Sequence, residues 1–177
     1  MTPRIAPGRL KELGPLNWAA WKVLSAAAGT SDAHLFSTLG RTGRLFRGWL
    51  HYSGMLMPFG RLSRFDAEAA ILRVAHLRDC GYEFDHHTRL GRRAGITDEV
   101  RDRIVTGPSD ENWHPRHRAL LAAVDELVMK KDVTDATWST LAEWYDERRL
   151  VEICLLVTQY DGLATTIRTL RIERDFT

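Results

Sequence analysis

The chain has 177 residues, 44% hydrophobic and 27% charged, a composition that suits one water-soluble globular domain with a sizeable core. Lysine and arginine total 25 against 23 aspartate and glutamate, a net charge of +2 that excludes binding through phosphate neutralisation, so neither DNA nor RNA is expected as a partner. The opening MTPRIAPGRLKELGP carries charges and prolines where a secretory leader needs an apolar run, and no later stretch reaches about 18 uninterrupted apolar residues. A cytoplasmic chain with no membrane attachment is therefore expected. In that compartment Cys80 and Cys154 are not expected to form a structural disulfide.

Residues 1–15 read as an extended arm punctuated by Pro3, Pro7, Gly8, Gly14 and Pro15, expected to pack on a neighbour, with one domain over residues 16–177. Leu16, Ala19, Ala20, Val23, Leu24 and Ala27 recur at helical spacing, and Gly29 stops the pattern. A short helix follows Ser31 and Asp32, which can cap it, and ends at Leu39. Leu45 to Met57 forms a third helix, ended by Pro58 because a residue before proline disfavours the helical region. Ser63, three residues before Asp66, opens a helix that reaches Asp79. Another covers Tyr82 to Ala94 and stops at Gly95, and Thr97-Asp98-Glu99 caps the next, which closes at Gly107-Pro108. After a loop, Leu120, Leu121, Val124, Leu127 and Val128 mark an amphipathic helix from Arg116 to Lys130. Thr134 or Asp135 caps a helix ending near Tyr145, and the last runs from about Arg148 to Arg171 with Val151, Leu155, Thr158, Leu163, Ile167 and Leu170 along it. No period-2 run of β-branched residues occurs, and the prediction is an all-α, single-domain helical bundle.

One polar cluster lies on apolar faces. With successive residues about 100° apart, Leu72, Ala75 and Ile71 surround Glu68, while Arg73 and His76 form a polar stripe elsewhere. A carboxylate on a buried face costs several kcal/mol unless it is bonded, paired or protonated, so Glu68 needs a partner. On the following helix Cys80, Glu83, His87, Leu90 and Gly91 share one face, whereas Asp85, Arg89, Arg92 and Arg93 face solvent. His86 falls at the boundary, which makes His87 the inward histidine. Glu83 and His87 are four apart, a spacing that brings side chains together as a catalytic pair or as a local ion pair. Cys80 sits near a helix start, where the dipole lowers a thiol pKa, but an ionised Glu83 beside it would raise that pKa. The chemistry is assigned to Glu68, Glu83 and His87, with Cys80 beside them.

The run from Glu68 to the Asp98-Glu99 turn resembles the carboxymuconolactone decarboxylase and alkylhydroperoxidase D superfamily. In the peroxidase branch a glutamate is followed twelve residues on by Cys-x-x-Cys, then by x-x-x-His, and a helix end of the type AGxTDEE. The pattern falls here on Glu68, Cys80, Glu83 and His87, and AGITDEV at 94–100 matches the tail. Glu83 occupies the place of the second cysteine, so the dithiol that a peroxidase recharges is missing. The form Tyr82-Glu83-Phe84 to His87 is similar instead to the decarboxylase-like members. The likeness extends more loosely from Trp113 through Ala123–Leu127 to Trp138. It implies an all-α fold, a small-molecule substrate of the carboxylic-acid kind, no cofactor, and a homo-oligomer such as a dimer, trimer or hexamer.

Glu83-x-x-His86 and Glu111-x-x-His114 have the carboxylate-histidine spacing of di-iron bundles, but the helices supply no further carboxylates for such a site, and no metal is expected. Cys154, amid Val151, Ile153, Leu155 and Leu156, reads as a buried inert thiol. Arg61, Arg64, Arg73 and Arg78 are candidates to attract an anion, or simply exposed helix residues. The leading expectation is a cofactor-independent lyase or isomerase acting on a lactone or keto acid, with His87 moving a proton, Glu83 orienting the imidazole and Glu68 holding a second proton or the substrate. A thiol-dependent hydroperoxidase using Cys80, alone or with Cys154, is the alternative. A non-catalytic oligomeric binding protein is the third.

Overall fold

The computed structural model describes residues 2–176, and the periodicities of the sequence become nine α-helices among them, with no strand. They are α1 (Leu10–Ala28), α2 (His34–Leu39), α3 (Arg44–Leu56), α4 (Arg64–Leu77), α5 (Gly81–Gly91), α6 (Asp98–Thr106), α7 (Pro115–Lys130), α8 (Asp135–Ala142) and α9 (Glu147–Leu170). Short polar side chains start them: Ser63, Thr97, Thr134 and Asp146 each accept a hydrogen bond from the backbone N–H three residues on. Left-handed glycines end two segments, Gly29 (φ 75°) after α1 and Gly95 (φ 89°) after the 3₁₀ turn Arg92–Ala94 that prolongs α5.

The expected arm is partly helical. A first turn begins at Leu10, breaks at Gly14 (φ 71°) and resumes at Pro15, whose fixed φ suits a helix start. The residues before it lie on their own chain: the Arg4 N–H donates to the Leu170 carbonyl (2.9 Å), and that of Gly8 to the Ser37 carbonyl (2.9 Å).

Helix α4 forms the centre. Every residue from Asp66 to Ala75 is buried, so α4 has no solvent face over those ten positions and carries apolar side chains all round. On one side Ala67, Ala70, Ile71 and Val74 pack with Leu120, Ala123 and Val124 of α7 and Ile153, Leu156 and Val157 of α9. On another, Ala69 and Leu72 meet Ile96, Ile104, Trp113 and Leu121. Helix α9 is long and apolar enough to span a membrane by length and composition alone, yet its Leu150, Ile153, Leu156, Val157 and Leu163 are core residues of the bundle. Of the positions read from the sequence, Leu163 and Ile167 are buried, whereas Val151 and Leu155 point outward and stand exposed.

Enclosing α4 forces its charged residues to find partners inside the fold. Arg73, expected on a polar stripe, is 7% exposed. Its guanidinium grips Asp125 of α7 through Nε (2.6 Å) and Nη2 (2.8 Å), and Nη1 donates to the Ile104 and Val105 carbonyls that end α6. Gly107 (φ 91°) follows α6 and lies so close that a Cβ there would stand 2.5 Å from Nη2 of Arg73. Asp66, with no exposed side-chain surface, is paired with Arg116, and His117 Nε2 is 3.5 Å away. Arg73→Ala should destabilise the fold by about 3 kcal/mol, since it strands a carboxylate and two helix-end carbonyls. Urea unfolding would register this as a lower midpoint; an unchanged midpoint contradicts the clamp.

Candidate active site

The turn between α4 and α5 sets the geometry of the site. Asp79 takes a left-handed conformation (φ 49°), the Cys80 N–H donates to the Ala75 carbonyl (2.8 Å), and α5 starts at once at Gly81. Helix α5 therefore folds back along α4, and His87 meets Glu68 across the contact. His87 Nδ1 lies 2.7 Å from Glu68 Oε2, and the carboxylate has no exposed surface. Nη2 of Arg64, one helical turn earlier, lies 3.1 Å from Glu68 Oε1. Nε2 of His87 has no hydrogen-bond partner among the described residues. One imidazole nitrogen is thus tied to a buried carboxylate and the other is free, the arrangement that fixes a tautomer and leaves a proton acceptor or donor.

The pair lies in the wall of a cavity of about 760 Å³. Ala19, Ala20, Val23, Leu24 and Ala27 of α1, Leu35 and Phe36 of α2, and Trp49, Leu50 and Met57 form the apolar part. The polar part consists of Arg64, Tyr82, Glu83, His86, His87, Gln159 and Tyr160. Val23 and Phe59 line it while standing largely exposed, so the cavity opens to solvent beside them. An apolar body with its polar groups gathered in one region is the usual form of a small-molecule site.

Glu83 and Cys80 are buried next to that region. Neither carboxyl oxygen of Glu83 has a hydrogen-bond partner among the described residues, and burial pushes its pKa up to about 8. Burial, followed by the Glu83 charge, pushes the Cys80 thiol up to about 12, against any lowering by the helix start. Tyr160 of α9 presents its ring edge-on to His87 (5.1 Å between centroids), and burial with the charges of Glu83 and Glu68 raises its phenol pKa.

The four residues singled out from the sequence come together, but in different pairs. Glu68, not Glu83, holds the His87 ring, because the α4–α5 crossing brings its oxygen to Nδ1. Glu83 instead shares a dry corner with Cys80. His86 also lines the cavity and its side chain is only 11% exposed, so the boundary histidine points inward as well. Arg64 reaches the site, whereas Arg73 is locked in the core. Cys154, expected to be buried, is half-exposed. Tyr160, Gln159 and the α1 wall were missed: periodicity shows that a helix has an inner face, but not which helix faces which. Among the described residues no cluster of three or more histidine, cysteine, aspartate or glutamate side chains could hold a metal ion.

Residues 43–126 match the model of the carboxymuconolactone decarboxylase family. YdfG of Bacillus subtilis (strain 168) is 24% identical over 103 residues, 57% of this chain and 70% of that one. Among solved structures, the AhpD core of a peroxidase-related protein from Ralstonia eutropha JMP134 superposes with a TM-score of 0.84 at 18% identity, covering 98% of this chain and 93% of the other. The debrominase Bmp8 in complex with 2,3,4-tribromopyrrole gives a TM-score of 0.80 at 13% identity, with 99% and 94% covered. At these identities the structural likeness is one of fold.

The raised Glu83 pKa makes stability depend on pH. The folded chain keeps that carboxyl protonated up to about 8, whereas the unfolded chain ionises at the ordinary 4.5. Between those values the folded state binds the extra proton, so the stabilisation is complete below the lower value and is lost as pH rises through the upper one. Glu83→Gln, neutral throughout, should match the parent chain in urea unfolding near pH 5 and exceed it by a few kcal/mol near pH 9. A gap that does not widen with pH contradicts the assignment.

Proposed function

We propose that this chain, whose residues 43–126 match the carboxymuconolactone decarboxylase family model and whose fold is shared with AhpD-like proteins, is a cofactor-independent lyase or isomerase that works by acid–base chemistry on a small acid with an apolar body. The observation that carries this reading is the Glu68–His87 pair, 2.7 Å apart, with its free imidazole nitrogen at a mainly apolar cavity. Arg64, already beside Glu68, is placed to receive the substrate carboxylate or the oxygen of a carbonyl. His87 moves the proton, Glu68 is its positioning residue, and Glu83 holds a second proton near neutral pH. In a decarboxylation of a β-keto acid, the bond to the departing carboxylate breaks and its electron pair passes into an enolate. Carbon dioxide leaves, and the enolate carbon takes a proton from His87 or Glu83. The apolar walls strengthen each of these interactions by excluding water.

A thiol-dependent peroxidase is less well supported. With the Cys80 pKa pushed up to about 12, on the order of one thiol in a hundred thousand is ionised at neutral pH, and Glu83 stands where a resolving cysteine would be needed. The two free thiols fit a cytoplasmic protein. Exposed Leu16, Val23, Phe59 and Val151 support self-association, which light scattering would detect as a mass above the 20.2 kDa of one chain.

The test uses 3-oxooctanoate, a β-keto acid with an apolar tail, in deuterated water. Carbon dioxide release and deuterium at the α-carbon should both exceed the uncatalysed rate. His87→Ala should lower them by at least about 100-fold while the helical circular dichroism persists; an unimpaired variant contradicts the role of His87. A disulfide reagent applied to the native chain should leave Cys80 unmodified, and rapid modification there would favour the peroxidase.

A further inference from the structure

The residues after α9 fold back over α5. Arg174 pairs with Asp85 at 2.5 and 2.7 Å, and Phe176 lies under the Arg89 guanidinium (4.2 Å) and against the His86 ring (4.8 Å). Between them the Asp175 carboxylate has no exposed surface. It accepts from the Tyr82 hydroxyl (2.6 Å) and the His34 backbone N–H (3.1 Å), and it contacts His34 Nδ1 (2.6 Å) and His86 Nε2 (2.9 Å). Burial would raise its pKa, but the bonds from His86, Tyr82 and His34 hold it below the ordinary aspartate value. Arg174 and Phe176 already fasten the tail from either side, so a buried acid between them calls for a separate reason.

That reason lies in the cavity. His86 and Tyr82 both line it, and their rings stack 4.6 Å apart. Nε2 of His86 is on Asp175, and its Nδ1 has no partner among the described residues. His87 next to it has Nδ1 on Glu68 and Nε2 free. Two consecutive residues of α5 therefore each present one ring nitrogen to a fully buried carboxylate and keep the other free, in the wall of one cavity.

We propose that His86 is a second proton-transfer group of this site, with Asp175 as its positioning residue, and that the substrate is an apolar unsaturated carbonyl compound whose double bond is moved into conjugation. The inference rests on the acid–base reading and narrows it to the isomerase form. One imidazole removes a proton from the carbon between the carbonyl and the double bond. The electron pair of that C–H bond delocalises onto the carbonyl oxygen as a dienolate. The other, as imidazolium, gives a proton to the far carbon, and the oxygen's electron pair returns. One C–H bond breaks, one forms, and nothing is oxidised. The enzyme is left with its proton on the other imidazole and resets through water at the open end. The charged and titratable groups around His86 are Asp175 and Arg174 from the tail, Tyr82, Asp85 and Arg89 on α5, and His34 and Asp32 at the start of α2.

The test uses 2-naphthol, a planar apolar phenol that mimics a dienolate, added to the full chain labelled with ¹⁵N-histidine. Long-range ¹H–¹⁵N spectra should show the ring signals of His86 and His87 both shifting at the same ligand concentration. Shifts at His87 alone overturn the proposal and leave the acid–base reading standing. A response at neither histidine overturns both. Asp175→Asn should cost His86 its single-tautomer signature while the His87 signals keep theirs; an unaltered His86 pattern removes Asp175 from the mechanism. The arm with the unsubstituted chain decides the matter even if that variant folds poorly.

Discussion

Enclosure of α4 on every side is the constraint from which the rest follows. A helix with no solvent face can carry a charge only where another element brings the matching group to it, and α4 carries three within eight residues: Asp66, Glu68 and Arg73. Arg116 and Asp125, both on α7, answer the first and the last. These two pairings fix α7 against α4, and the carbonyls gripped by Arg73 fix the end of α6. Glu68 is answered instead by an imidazole from α5, whose two ring nitrogens can each accept or donate a proton. The first two pairs are structural clamps, and the third has the same physical origin with a different chemical capability.

The two glutamates of the site are separated by environment alone. Glu68 has an imidazole on one oxygen and a guanidinium beside the other. Glu83, one turn from His87 on the same helix, has neither, and burial pushes its pKa up to about 8. Groups of one kind held in contrasting surroundings divide the work of proton transfer, one steadying a charge and the other keeping a proton. The same burial, followed by the Glu83 charge, pushes the Cys80 thiol pKa up to about 12, which counts against thiol chemistry at that position.

Much of this was legible in the residues. The helices, their caps at Ser63 and Thr97, and the buried place of Glu68 all follow from spacing and short-range chemistry, which act within a turn or two of helix. The pairing of His87 is not local for the same reason: spacing along α5 points to Glu83, four residues away, while the partner lies across a helix–helix contact that spacing does not encode. A helical wheel puts Arg73 on an outer stripe, since it shows one helix and cannot show that α6 and α7 cover the side opposite Glu68. Spacing alone leaves His86 at the boundary, since its partner, Asp175, is 89 residues further along the chain. Tertiary contact supplied what local pattern lacked, above all the α1 wall and Tyr160.

The central claim is that apolar packing leaves one carboxyl of this site protonated near neutral pH while its neighbour is committed to an imidazole. Difference infrared spectroscopy on ¹³C-glutamate-labelled protein reads that state directly, through the carbonyl stretch of a protonated carboxyl in a dry environment. The account predicts such a band at neutral pH, its loss as pH passes about 8, and its absence from Glu83→Gln. A spectrum without the band at neutral pH, or one in which the band survives that substitution, would contradict it.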